Sequence, residues 1–150
     1  MVFYKLIHVL AVTLWVGGMF FAYMVLRPAA VDVLQPPERL QLWDKAFKLF
    51  FNWVWGLVYL FLTSGFYMVY LFGGLLRVPP YIYMMLALGL VMTGVFIFLY
   101  FRLYAPFNIS VSRQEWKTAG DILARIRKLV ALNLVLGILT FAVAVIGRGI

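Results

Sequence analysis

The chain has 150 residues, 66% of them hydrophobic and 12% charged, with a net charge of +8 and no cysteine. Soluble domains carry about 25% charged residues, so this composition excludes an ordinary water-soluble core and points to lipid as the solvent. Without cysteine there is no disulfide, no thiolate metal site and no cysteine nucleophile.

The first apolar run, Leu6 to Leu26, is long enough to span a bilayer and too long for the apolar core of a signal peptide. It carries His8, the only histidine. Three more runs follow, Phe51 to Phe72, Tyr81 to Phe101 and Leu129 to Gly147. Each is near the roughly 20 residues that cross about 30 Å of hydrocarbon. They are apolar on every side, which excludes the alternation of a membrane strand. The expected fold is all-α, a four-helix transmembrane bundle forming a single integral membrane domain.

The links between the runs carry the charge. Arg27, Arg39, Lys45 and Lys48 lie between the first two runs, and Arg102, Arg113, Lys117, Arg125, Arg127 and Lys128 between the last two. The remaining basic residues, Lys5, Arg77 and Arg148, belong to the other side. The excess of basic residues places both long links in the cytoplasm and both termini outside, with His8 near the outer face. Trp43, Trp53, Tyr100, Tyr104 and Trp116 are expected at the inner boundary, and Tyr4, Tyr67, Tyr70 and Tyr81 at the outer one. The basic residues sit between membrane spans, so they suit anionic lipid at the cytoplasmic face rather than nucleic acid.

Helices two and four are expected to extend into the cytoplasm. Pro36 and Pro37 suit a helix start, from which "ERLQLWDKAFKLFF" leads into the second span. In "SRQE", Ser112 can cap a helix and Glu115 can reach back to it. Arg113, Lys117, Asp121 and Arg125 then recur every four residues as one polar stripe, with Trp116, Leu123 and Ile126 largely off it. One continuous element from Ser112 to Gly147 is expected, with Gly120 as its weakest point. The two halves, 1–75 and 76–150, look alike: each has a span, an arginine at its inner end, a proline-containing turn, and a polar helix feeding a second span. A shift of 75 residues places Arg27 on Arg102 and His8 on Tyr83. A duplication would imply a pseudo-two-fold axis along the membrane normal.

The first span, "LIHVLAVTLWVGGMFFAYMVLRPA", has the order histidine, six residues, tryptophan, two residues of which the second is glycine, then Arg-Pro after the span. This order resembles the CopD-type copper-resistance membrane proteins in their short four-helix form. "YIYMMLALGLVMTGVFIFLYF" and "ARIRKLVALNLVLGILTFAVAVIGR" resemble the third span and the close of that domain. The resemblance implies copper movement or tolerance at a bacterial-type inner membrane. The small membrane protoporphyrinogen oxidases share a similar first span, and there the histidine is associated with haem. The CopD pattern implies a further histidine where this chain has Tyr83.

The residues themselves allow more than one chemistry. His8 shares a helical face with Ala11, Gly18 and Ala22, small residues that mark close helix packing. It therefore faces the bundle, where an ionisable group is a functional candidate; an interfacial histidine bonded to a carbonyl or water is the plainer reading. Met68, Met84 and Met85 share its depth, and imidazole with thioether suits monovalent copper. Methionine is also an ordinary packing residue, and Met19, Met24 and Met92, which lie deeper, read as packing. Haem b is the alternative, with His8 as axial ligand alone, paired with Met or Tyr83, or shared across a homodimer. Asn52, Asn133, Arg27 and Arg102 could close a polar cluster at the inner side or bind an anionic headgroup, against simple snorkelling. Every carboxylate falls in a cytoplasmic link, which counts against a carboxylate proton relay and paired-carboxylate catalysis. Three functions remain: copper handling, a haem-dependent membrane oxidoreductase, and a cofactor-free accessory subunit.

Overall fold

A computed structural model describes residues 1–149. Four helices account for nearly all of them: α1 Val2–Val33, α2 Pro36–Leu71, α3 Pro80–Ser112 and α4 Trp116–Gly149. All four are long and apolar enough to cross a membrane. At 1.5 Å per residue each is about 50 Å long, well beyond the ~30 Å of hydrocarbon. The expected extension of helices two and four is therefore present in all four. Links of two and three residues, Leu34–Gln35 and Arg113–Glu115, join α1 to α2 and α3 to α4. The helices thus alternate in direction, and the first and last described residues lie at one end of the bundle. α1 packs chiefly along α2, α3 along α4, and α1 also crosses α4.

Of the expected proline-containing turns, the first falls at Leu34–Gln35, just before Pro36, whereas in the second half the chain reverses at Arg113–Glu115 and Pro106, like Pro28 in α1, lies inside a helix. A proline inside a helix lacks the N–H for the carbonyl four residues back and presses its ring against it. The chain absorbs this with a π-helical turn that ends two residues before each proline, Phe21–Leu26 in α1 and Leu99–Tyr104 in α3. In the first, the Arg27 N–H donates to the Ala22 carbonyl, five residues back. The helices then continue to Val33 and Ser112. The two π turns begin 78 residues apart, as do the prolines. That register, rather than 75, sets His8 opposite Leu86 and not Tyr83.

The helix ends divide into expected and unexpected. α2 starts at Pro36, and Glu38 accepts a hydrogen bond from the Gln35 N–H at 3.3 Å. It ends where Gly73 and Gly74 take φ of 97° and 95° and their N–H groups donate back to Tyr70 and Val69. The Ser112 cap does not form. Helix propagation from Pro106 carries Ser112 into α3, and its hydroxyl donates to the Ile109 carbonyl at 2.7 Å. The reversal falls at Gln114, φ 58°, with the Glu115 N–H donating to the Ser110 carbonyl. From Trp116 on, α4 is unbroken through Gly120 to Gly149.

The interior is aromatic. Phe47 and Phe51 stack at 5.2 Å, and Phe96 meets Phe51, Trp15 and Trp55 edge-on. Val54, Phe107 and Ile126 are completely buried. Trp43, expected as an interface anchor, is instead buried against Phe47. Close approach of α1 and α3 to α4 depends on Gly137: a β-carbon there would sit 2.5 Å from a Val16 methyl and 3.3 Å from the Met92 methyl. Gly137→Ala should therefore destabilise the bundle by about 1–3 kcal/mol through overpacking, whereas Gly94→Ala, with nothing within 4 Å, should not. Thermal unfolding in a fixed detergent checks the pair; equal melting temperatures would show that α4 can shift away.

Candidate functional site

His8 lies two turns into α1 and faces α2. Its Nδ1 is 3.0 Å from the Phe61 carbonyl oxygen and 3.1 Å from Ser64 Oγ. The Ser64 hydroxyl donates its own proton to carbonyls of its helix, at Leu60 and Phe61. Both neighbours of Nδ1 therefore accept, so in the neutral ring Nδ1 carries the imidazole proton and Nε2 keeps its lone pair. This is the arrangement that orients a metal-binding imidazole, one ring nitrogen fixed by a protein acceptor and the other left to the metal. The ring also lies against the Phe61 ring at 4.8 Å. Gly65 makes room for it, because a β-carbon at that position would stand 3.0 Å from His8 Cε1.

Beside His8 is a cavity of about 280 Å³ reached by all four helices. Met68 of α2 and Met85 of α3 line it, with Tyr81 and Thr140. Lys5 and Arg148 supply its charged groups. The structure thus brings together His8, Met68 and Met85 and leaves out two of the sequence candidates. Met84 is 55% exposed, one helical step of 100° from Met85 and on the outer face. Tyr83 is 44% exposed, and its hydroxyl donates to the Leu75 carbonyl in the turn before α3. Met85, Gly89 and Met92 follow the helical repeat, and all three are at least partly buried; that spacing separates Met85 from Met84 in the sequence alone. Ser64, Lys5 and Arg148 were not among the sequence candidates. A serine in the middle of an apolar helix was the available signal for Ser64.

The inner polar cluster does not assemble. Asn133 is buried at mid-bundle, its Nδ2 donating to the Met92 carbonyl at 3.0 Å while Oδ1 has no partner. Asn52 and Arg102 are exposed, and Arg27 lies over the Tyr23 ring at 5.0 Å. Helical phase thus turns Asn133 into the bundle and Asn52 and Arg102 outward. Among the described residues no group of three or more His, Cys, Asp or Glu could hold a metal ion. Among the side chains lining the cavity are one imidazole and two thioethers, groups of the kind that suit monovalent copper.

Four apolar helices around an inward-facing imidazole define a multi-pass integral membrane protein. More particularly, the chain belongs to the copper resistance protein D (CopD) family, whose family model matches residues 44–146. The match takes in α2 from Asp44, all of α3 and most of α4; α1, with His8, lies outside it. No curated protein and no solved structure matches the chain. The likeness to the protoporphyrinogen oxidases finds no support in these comparisons.

The hydrogen bonds of His8 can be tested directly. As the only histidine, it gives unambiguous ¹⁵N signals from imidazole-labelled protein. The shifts should report a protonated Nδ1 and a bare Nε2; the opposite tautomer would remove the free ligand atom from this site.

Proposed function

We propose that this protein handles copper as the monovalent ion and that the cavity beside His8 receives it. The observation that supports this most is the convergence of His8, Met68 and Met85 from α1, α2 and α3 on one cavity. Neutral imidazole and thioether bind a soft ion without a counter-charge. Lys5 and Arg148 at the same cavity repel a bare cation, so affinity rests on the soft ligands and not on charge. Ser64 and the Phe61 carbonyl hold the ring in place. The basic links lie in the cytoplasm and His8 near the outer face of a bacterial-type inner membrane, so the ion is met on the outer side.

Competition with a chromogenic chelator of monovalent copper tests the reading. His8→Ala should abolish stoichiometric binding while the helical circular dichroism is kept. Met68→Leu and Met85→Leu should each weaken binding, and Ser64→Ala should weaken it by about tenfold through loss of an orienting partner. Met84→Leu and Tyr83→Phe should bind as the parent does. Full binding by His8→Ala would end the proposal. Haem is the second reading, and Lys5 and Arg148 favour it, since they suit the carboxylates of a porphyrin. A Soret band in the purified protein, lost in His8→Ala, would replace copper with haem.

The orientation has its own test. Because the chain has no cysteine, Arg39→Cys and Lys117→Cys each introduce a single thiol, expected to react only from the cytoplasm. Arg77→Cys should react only from outside. The reverse pattern would place His8 at the inner face.

A further inference from the structure

The bundle has a second cavity, of about 250 Å³, at the opposite end from His8. Its walls come from α1, α2 and α4 and are apolar: Phe21, Leu26, Phe47, Phe50 and Val130 among them. The π turn of α1 supplies four of its lining residues, Phe21, Ala22, Tyr23 and Leu26. The only charged groups on the wall are Arg27 and Arg127, from different helices. No carboxylate lines the cavity. Arg27 is half-buried, with its guanidinium over the Tyr23 ring.

We propose that this cavity is a binding site for an anionic phospholipid, with the phosphate between Arg27 and Arg127 and an acyl chain along the aromatic wall. Three considerations converge. The cavity wall carries two arginines and no acidic partner, a positive charge that an anionic headgroup neutralises. A guanidinium matches phosphate oxygens with paired N–H donors, which ammonium does not. Depth agrees as well. His8 and Arg27 are 19 residues apart on α1, a rise of about 28 Å, close to one hydrocarbon thickness. With His8 near one interface, Arg27 stands at the other, at the level of headgroups. The apolar wall then lies on the acyl side of the arginines. The site is independent of the copper reading.

Native mass spectrometry of the full chain, released from detergent, tests it. The protein is titrated with palmitoyl-oleoyl phosphatidylglycerol, with phosphatidylcholine of the same chains, and with oleate. The parent should prefer phosphatidylglycerol over phosphatidylcholine by about thirtyfold, the scale set by two basic residues at a membrane surface. Arg27→Gln with Arg127→Gln should remove the preference. Arg102→Gln with Arg113→Gln, outside the cavity, should keep it. Ala46→Phe, which fills the cavity from its wall with both charges intact, should lower lipid retention, and it carries the test alone if the double variant fails to fold. The proposal is overturned if the lining pair keeps the preference, or if the distant pair loses it equally. Oleate displacing phosphatidylglycerol would assign the cavity to a fatty acid instead. A lipid-free dimer as the stable species would assign it to a second copy of the chain.

Discussion

A backbone amide left without a partner in hydrocarbon costs several kcal/mol, and two prolines stand inside the helices of this bundle. The π turns before Pro28 and Pro106 answer that constraint by widening the helix where the proline ring would collide with it. Because they do, α1 and α3 continue beyond their apolar spans for as long as α2 and α4. The extra turns bring Phe107 and Val111 of α3 into the buried core, and Ala30 of α1 is buried as well. Leu40, Trp43 and Phe47 of α2 and Ala119 and Ile126 of α4 belong to the same core. Had either odd helix stopped at its proline, these side chains would have had no partner on two sides.

The pairing of α1 with α2 governs the chemistry at the other end. His8 is oriented by α2 alone, through the Phe61 carbonyl and Ser64, and it fits because position 65 is glycine. Its candidate companions come from α2 and α3. A site of this kind is sensitive to how the α1–α2 pair sits against α3, and the close contacts that set this are again between a glycine and a bulky side chain. Gly89 of α3 receives the Phe61 ring, and Gly137 of α4 receives Val16. Small residues at these crossings let helices approach in the absence of any hydrophobic drive between them inside lipid.

Much of this architecture is legible in the sequence because it follows from hydropathy. Apolar runs locate the spans, Pro36 and Pro37 mark the start of α2, and the inward face of His8 follows from Ala11, Gly18 and Ala22. What eluded the sequence concerns local competition. A proline in an apolar run reads as a turn, because the alternative, a π turn, has no side-chain signature. "SRQE" reads as a cap, although a helix already running through Ser112 leaves the hydroxyl to bond backwards. A shift of 75 residues sets His8 against Tyr83, whereas the 78-residue spacing of the two π turns sets it against Leu86. Met84 and Met85 are indistinguishable by composition and separable only by helical phase.

The length of the helices means that the protein lives in two solvents. By the rise per residue the helices exceed the hydrocarbon by some 20 Å, and composition places the longest excess, on α2, α3 and α4, in a stem at the end carrying Asp32, Glu38, Lys45, Glu115 and Lys117. In the stem, burial of Phe107 or Ile126 takes apolar surface away from water. In the span, burial of Phe61 or Phe96 only exchanges lipid contacts for protein contacts. Identical side-chain truncations thus differ in cost with height along one helix. The wet part thus holds the four helices together by water exclusion, a force that the drier part around His8 lacks.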